Sequence, residues 1–376
     1  MQPPYLRRLT RRTWLWPLLL ATATAGGAQE LRPGVWAAND ASALPLPLSG
    51  YQVYLMGEMH GVKENAAFFG PYLSKLNTTS GLRDVAIEEK SVYERDAQDY
   101  VEGRSSSIPA ELCLRANIID TVRQLNQGRA ADQLIRIHLV DIDSPADAIR
   151  RHLQMIKEKV AGGTPVSVPD AVAVKTSGLK TVEELRRLPA SGAFLGELRT
   201  IEHSIRALQL GFEVGIGQAN GSTYLDDRED AVAANIRDLL AGEDAHGVLG
   251  FYGNDHVAKV RRKDGGPDRN LAFVPLALRL QESGIKVFSV ATFPLSGRFS
   301  WRGQQGEMMW TARDGTMANG ETMDKFLAKV QHPALLYVDP KQERVMLPSQ
   351  DVTRSQPDAF LLITTGSAMD NRCAAR

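Results

Sequence analysis

Gly57-Glu58-Met59-His60-Gly61 is a stretch of this chain whose residue types and spacing could do chemistry. Glu58 and His60 are two apart, so extended backbone points both to one side, where a carboxylate can fix the tautomer of an imidazole. The flanking glycines let the chain turn sharply or approach a ligand closely. The stretch follows the apolar run Tyr51-Gln52-Val53-Tyr54-Leu55-Met56. Glu88 follows a second such run, Val85-Ala86-Ile87, and Gly253-Asn254-Asp255-His256 ends a third, Val248-Leu249-Gly250-Phe251-Tyr252. Two histidines and two carboxylates at strand ends support two chemistries. One is a histidine general base held by a carboxylate, with His60, Glu58, Glu88 and His256 as the catalytic set. The other is a divalent metal held by Glu58, His60, Glu88 and His256. Spacing leaves both open. Arg228 and Asn254 are candidate substrate-binding residues. Arg228 is expected at a helix start, where it opposes the dipole and calls for a carboxylate or a substrate anion.

The elements that must position these residues read as an alternation of strands and helices. Residues 51–56 and 85–87 are expected strands, joined by a helix over 64–76 with Ala66, Phe69, Leu73 and Leu76 on one face, kinked or split at Gly70-Pro71. Such a crossover makes the strands parallel, so Gly57 to His60 and Glu88-Glu89 emerge together at carboxyl ends, the edge where open α/β sheets bind ligands. A third strand over 134–140 runs into Asp141 and Asp143. Ser144-Pro145-Ala146-Asp147 then opens a helix to about Val160. A loop is expected over 161–170. Thr181-Val182-Glu183-Glu184 reads as a capping box opening a short helix, and Leu198, Ile201, Ile205 and Leu208 mark an amphipathic one. Residues 144–212 therefore read as a helical insert, a lid beside the strand ends. A helix from Asp227 through Leu240 precedes the His256 strand. Further strands are expected at 287–292, 335–338 and 360–363, with a polar, Gly-rich excursion over 296–320. The fold class is α/β: a mainly parallel central sheet flanked by helices, in a single domain over 29–376.

Composition narrows the function. Apolar residues make up 43% of the 376, enough for a sizeable core, and 44 Lys plus Arg balance 44 Asp plus Glu. That balance gives no electrostatic footprint for nucleic acid. Arg7, Arg8, Arg11 and Arg12 precede the run Trp14 to Leu20, and small residues follow to Ala28, as in a cleaved signal peptide over 1–28. The apolar run falls short of the ~20 residues of a spanning helix. The expectation is a periplasmic or secreted protein with no stable membrane span after cleavage, and Arg11-Arg12 leaves twin-arginine export open beside the general route. Cys113 and Cys373 are the only cysteines and could form one long-loop disulfide in an oxidising compartment. No phosphate-binding glycine loop, GxSxG elbow or HExxH helix is present. The remaining histidines, among them His138, His152 and His203, read as structural or solvated.

Gly57-Glu58-Met59-His60-Gly61, Glu88 after its apolar strand, Arg228 through Ile236 and Asn254-Asp255-His256-Val257 together resemble the erythromycin esterase, ChaN-like and Tiki/TraB superfamily, over roughly residues 50 to 295. In order and spacing the chain is most similar to the esterase branch. That resemblance implies His60 as the base that activates water, with Glu58, Glu88 and His256 orienting it or stabilising the oxyanion. It implies a small-molecule or peptide substrate with an ester, lactone or amide bond. The ChaN-like branch implies instead a haem or metal-binding uptake protein, and the Tiki-like branch a metallopeptidase. Where the esterases tend to carry Ala-His-Asn-x-His, this chain has Phe251-Tyr252-Gly253-Asn254-Asp255-His256 and keeps the second histidine alone.

Overall fold

The computed structural model describes residues 27–211, 221–261, 273–301, 304–307, 315–330, 334–346 and 356–368. The expected signal segment lies almost wholly outside the described residues, and so does Cys373.

The strand runs do pair in parallel. β3 (Val53–Glu58) lies between β7 (Val287–Pro294) and β6 (Val248–Gly253). β6 continues to β4 (Asp84–Lys90) and β4 to the edge strand β5 (Arg136–Asp141), all parallel. On the other side β13 (Ala359–Ile363) pairs parallel with β7, while β8 (Arg298–Trp301) with β9 (Gln304–Glu307) and β10 (Thr316–Met317) with β12 (Val345–Met346) form two small antiparallel pairs. The sheet then turns antiparallel through β11 (Leu335–Val338), β2 (Val35–Ala38) and β1 (Gln29–Arg32). The sheet is thus mainly parallel with an antiparallel flank, to which the first described strands contribute.

Side chains alternate across the sheet as period-two geometry requires. Tyr54, Met56, Val85, Ile87, Leu249 and Phe251 face one core, and Val53, Leu55, Ala86, Val248 and Tyr252 the other. α1 (Glu64–Ser80), α2 (Glu94–Val101) and α3 (Ala116–Asn126) cover the first face. α7 (Gly221–Leu240), α8 (Leu276–Glu282) and α9 (Met323–Lys329) contribute to the second core. Each fully buried Leu, Ile or Phe contributes roughly 1.5–3 kcal/mol, so both faces anchor the strand ends firmly.

Three expectations are corrected. α1 runs unbroken through Pro71. A proline removes one helical hydrogen bond, while Phe68, Phe69, Tyr72, Leu73 and Leu76 hold the helix on the sheet, and Gly70 fits against the Thr121 methyl, where a Cβ would come within 2.7 Å. The capping-box reading at Thr181 fails because α5 (Ala171–Arg186) starts ten residues earlier, capped by the Asp170 carboxylate on the Ala173 N–H at 2.8 Å; the Thr181 hydroxyl bonds the Ser167 carbonyl instead. α7 starts at Gly221, so Arg228 lies two turns inside the helix rather than at its start.

α4 (Ala146–Val160), α5 and α6 (Leu195–Gln209) pack on one another around Ile149, Leu153, Ile156, Val174, Val182, Leu185, Leu198, Ile201 and Ile205, a cluster separate from the two sheet cores. Among the described residues no helix is long and apolar enough to cross a membrane.

Candidate active site

The strand ends deliver their polar residues to one place. Glu58 closes β3 and is 4% exposed. His60 follows in the turn, and its Nδ1 meets Glu58 Oε1 at 2.6 Å. The turn is fixed from both sides. The Asn65 amide donates to Glu58 Oε2 and to the Met59 carbonyl, each at 2.9 Å, and Gly61 sits at φ +83°, where a Cβ would collide with the Ser300 backbone. Gly57 has a different use from the one its motif suggests: it makes room for Asn254 and Val257, not for a ligand.

Glu88 is the hub. Its Oε2 accepts the Gly253 N–H at 2.7 Å and Arg115 Nη2 at 3.3 Å. Its Oε1 accepts Arg228 Nη2 at 2.6 Å and faces His256 Nε2 at 3.2 Å. Arg115 is 5% exposed, ends the 3-10 turn Ala110–Arg115 and also ion-pairs with Glu58. Arg228 reaches Asp141 at the end of β5 through Nε at 2.7 Å and Nη2 at 2.5 Å. His256 is completed by Glu229, which is 1% exposed and meets Nδ1 at 2.5 Å. The structure therefore brings Glu58, His60, Glu88, Arg228 and His256 into one ring. Asn254 stands apart: its amide donates to the Thr292 carbonyl at 2.7 Å and accepts the Thr292 N–H at 2.9 Å, pinning the loop that carries His256 to β7. Both ends of its amide are engaged by the Thr292 backbone, which makes it a positioning residue for that loop.

The ring pushes its two histidines in opposite directions. Burial opposes charge on His256, but Glu229 and Glu88 on either side overcome it and raise its pKa to about 10, so it is an imidazolium at neutral pH. His60 is lowered from 6.5, first by the dense packing around its ring and then by His256 and Arg228, against the pull of Glu88; a third of its side chain stays exposed. It is therefore neutral. With Nδ1–H donating to Glu58, Nε2 carries the lone pair. Arg115 Nη1 also lies 3.4 Å from Nδ1, but two donors cannot share a hydrogen bond, and the shorter Glu58 contact decides the tautomer. Burial opposes ionisation of Glu88 too, yet His256 and Arg228 hold it well below the usual carboxylate range. The Tyr252 hydroxyl and Glu229 Oε2 are buried in the same region without a hydrogen-bond partner among the described residues. Burial with Asp141, Glu88 and Glu229 nearby keeps that phenol protonated, a donor in waiting.

Sequence spacing assigns no site role to Arg115, Asp141, Glu229, Asn65 or Tyr252. Glu229 had a signal, being adjacent to Arg228 in the resembling stretch, and Asp141 stands at an expected strand end. Arg115 had none, lying in a non-periodic turn.

These residues do not fit a divalent metal. Among the described residues no group of three or more His, Cys, Asp or Glu side chains is arranged to hold one. The oxygens of Glu58 and Glu88 are already taken by two guanidiniums, which would repel a cation. A cleft of about 670 Å³ opens along edge strand β5, lined by Ser91, Glu94, His138, His152, Lys159 and Asn235 among others, but no member of the ring except its neighbours in sequence approaches it. His138 there is held by Asp84 and Glu94 and pushed up to about 9, and His152 by Asp143, which gives both a structural role.

Fold and ring together define an open α/β protein with a buried charge cluster at the carboxyl edge of its parallel strands. Solved structures with the same fold exist. An erythromycin esterase mutant in its open conformation is 12% identical with a TM-score of 0.64, the match covering 86% of this chain and 93% of that one. A succinoglycan biosynthesis protein is 12% identical at 0.62, covering 89% and 95%, and a protein from Bacillus cereus is 13% identical at 0.59, with the same coverage. No protein-family model and no curated protein matches the sequence. The likeness to the erythromycin esterase agrees with the superfamily that the motifs resemble, and at such identities it establishes the fold.

Proposed function

We propose that this chain is an exported hydrolase of an ester, lactone or amide, with water activated by His60. The observation that carries the reading is the division of labour between two histidines of one ring. Glu229 and Glu88 keep His256 cationic, while His60 is neutral with its Nδ1 tied to Glu58. Environments that push two titratable groups apart are how active sites assign acid and base roles. In the proposed reaction His60 Nε2 takes a proton from water as the oxygen attacks the carbonyl carbon. Cationic Arg115, Arg228 and His256 stabilise the oxyanion electrostatically, and the imidazolium formed at His60 returns the proton to the leaving alkoxide or amine. A metal-dependent peptidase would need carboxylate oxygens that Arg115 and Arg228 already use.

Helices α4 to α6 are the proposed lid. Supporting this, α6 packs on α7, which carries Arg228 and Glu229, and Asp143, just before α4, lies two residues past Asp141. The export reading rests on the basic and apolar segments within residues 1–28 and is supported by Cys113, which is disulfide-bonded, as befits an oxidising compartment.

The test is hydrolysis of a panel of aryl and alkyl esters, lactones and anilides by the mature chain. The wild type is expected to turn over at least one class, with kcat/KM rising through a pKa below 6.5, and His60→Asn to lose about 10²–10⁴-fold. Full activity in His60→Asn overturns the reading.

A further inference from the structure

Gly253, the last residue of β6, is a glycine that its own backbone does not require. It is a strand residue with φ outside the left-handed region, a conformation open to any L residue. Its N–H donates to Glu88 Oε2 at 2.7 Å and its carbonyl accepts the His256 N–H at 3.0 Å, bonds that any residue but proline could make. Space is the requirement that remains. A Cβ here would come within 3.3 Å of both Cε1 and Nε2 of His60, and within 3.5 Å of Glu88 Oε2. The register of β3 on β6 sets Gly253 opposite Glu58, the carboxylate that holds Nδ1 of the same imidazole.

We infer that Gly253 is a positioning residue for His60: its bare Cα lets the imidazole lie against the end of β6, close to the hub carboxylate, while Glu58 holds Nδ1. The neighbours of that bare face have fixed roots. Asn65 ties Glu58 to the Met59 carbonyl, and Gly61 is pressed on the Ser300 backbone, whose N–H donates to the Gly61 carbonyl at 3.0 Å, so the turn that carries His60 is held along its length. Glu88 is held in turn by Arg115 and Arg228. The group that can yield to a methyl at position 253 is the imidazole itself, a third of whose side chain is exposed. An outward shift of a few tenths of an ångström lengthens the 2.6 Å contact between Nδ1 and Glu58, and so weakens the bond that sets the tautomer of the base.

The inference rests on the hydrolase reading for its kinetic test and stands apart from it in its spectroscopic one. The Nδ1 proton of His60, in a short bond to a carboxylate, resonates far downfield in the proton spectrum and is assigned by its loss in His60→Asn. The Nδ1 proton of His256 against Glu229 is the internal reference. Gly253→Ala is expected to move the His60 resonance upfield and leave that of His256 in place. The melting temperature should equal that of wild type or exceed it, since alanine in strand backbone restricts the unfolded chain. An unmoved His60 resonance overturns the inference, and so does an equal movement of both, which marks a disturbance of the whole ring. No substrate enters that measurement, so it decides the role of Gly253 even where the panel of esters, lactones and anilides shows no turnover and the hydrolase reading fails. The kinetic test is a double-mutant cycle on kcat. Gly253→Ala is expected to cost about tenfold in the wild-type background and under about twofold when His60→Asn is already present. Equal losses in both backgrounds mean that Gly253 does not act through His60.

Discussion

The charge on His256 is the residue-scale feature with the clearest thermodynamic consequence. Its folded pKa, about 10, lies above the ordinary 6.5. Its contribution to stability is therefore complete below 6.5 and is lost as pH rises through about 10. Removing Glu229 leaves the imidazolium with Glu88 as its one remaining carboxylate contact in the ring. Glu229→Gln is expected to cost on the order of 3 kcal/mol at pH 7 and to flatten the fall in stability between pH 7 and 10. Urea unfolding of both proteins at pH 7 and pH 9.5 checks this, and parallel pH dependence in the two would show that Glu229 does not hold the charge. At this scale the sequence was partly legible. Glu58 and His60 are two apart on extended backbone, and Glu88 and His256 follow apolar runs, so strand geometry alone placed them on one edge. Arg115 and Asp141 reach the ring through contacts between elements far apart in sequence, which no local spacing encodes.

Among the elements, the turn after β3 is where backbone conformation matters most. Gly61 combines a φ of +83° with a Cβ position that would fall 2.0 Å from the Ser300 carbonyl oxygen, whereas Gly81, at the end of α1, has φ +73° with its nearest neighbour at 3.7 Å. Gly81→Ala therefore meets only the left-handed backbone cost, about 1 kcal/mol. Gly61→Ala must also displace the segment that carries Ser300, so a loss of about 3 kcal/mol or more is expected, together with a fall in hydrolysis because His60 shares that turn. Denaturant unfolding of the two variants side by side gives the comparison; equal costs would mean that Ser300 yields freely. The element boundaries that the sequence misplaced share one cause. Local propensity misplaces Pro71, Thr181 and the start of α7, and in each case packing or a competing side-chain bond decides: the buried face of α1, the Asp170 cap with Thr181 bonded to Ser167, and Tyr224 and Leu225 of α7 buried with Ile142, Ala207 and Phe273.

For the molecule as a whole, parallel pairing was legible because strands alternating with helical periodicity leave few other topologies. The antiparallel flank of β11, β2 and β1 was not, since short strands near the beginning of the domain pair with strands near its end. The same long-range economy leaves α4 to α6 with an apolar cluster of their own, outside both sheet cores. A unit that buries most of its apolar side chains in a cluster of its own should open at a lower free energy than the strands. Ile201→Ala removes a fully buried side chain from that cluster and is expected to cost about 2–5 kcal/mol locally. Amide exchange should then speed up across 146–209 while β3, β6 and β7 keep their wild-type protection. Leu55→Ala, in the second sheet core, should speed exchange across the whole domain instead. If Ile201→Ala loosened the strands as much as Leu55→Ala, the three helices and the sheet would form one cooperative unit, and a lid that moves while the ring of charges stays fixed would be ruled out.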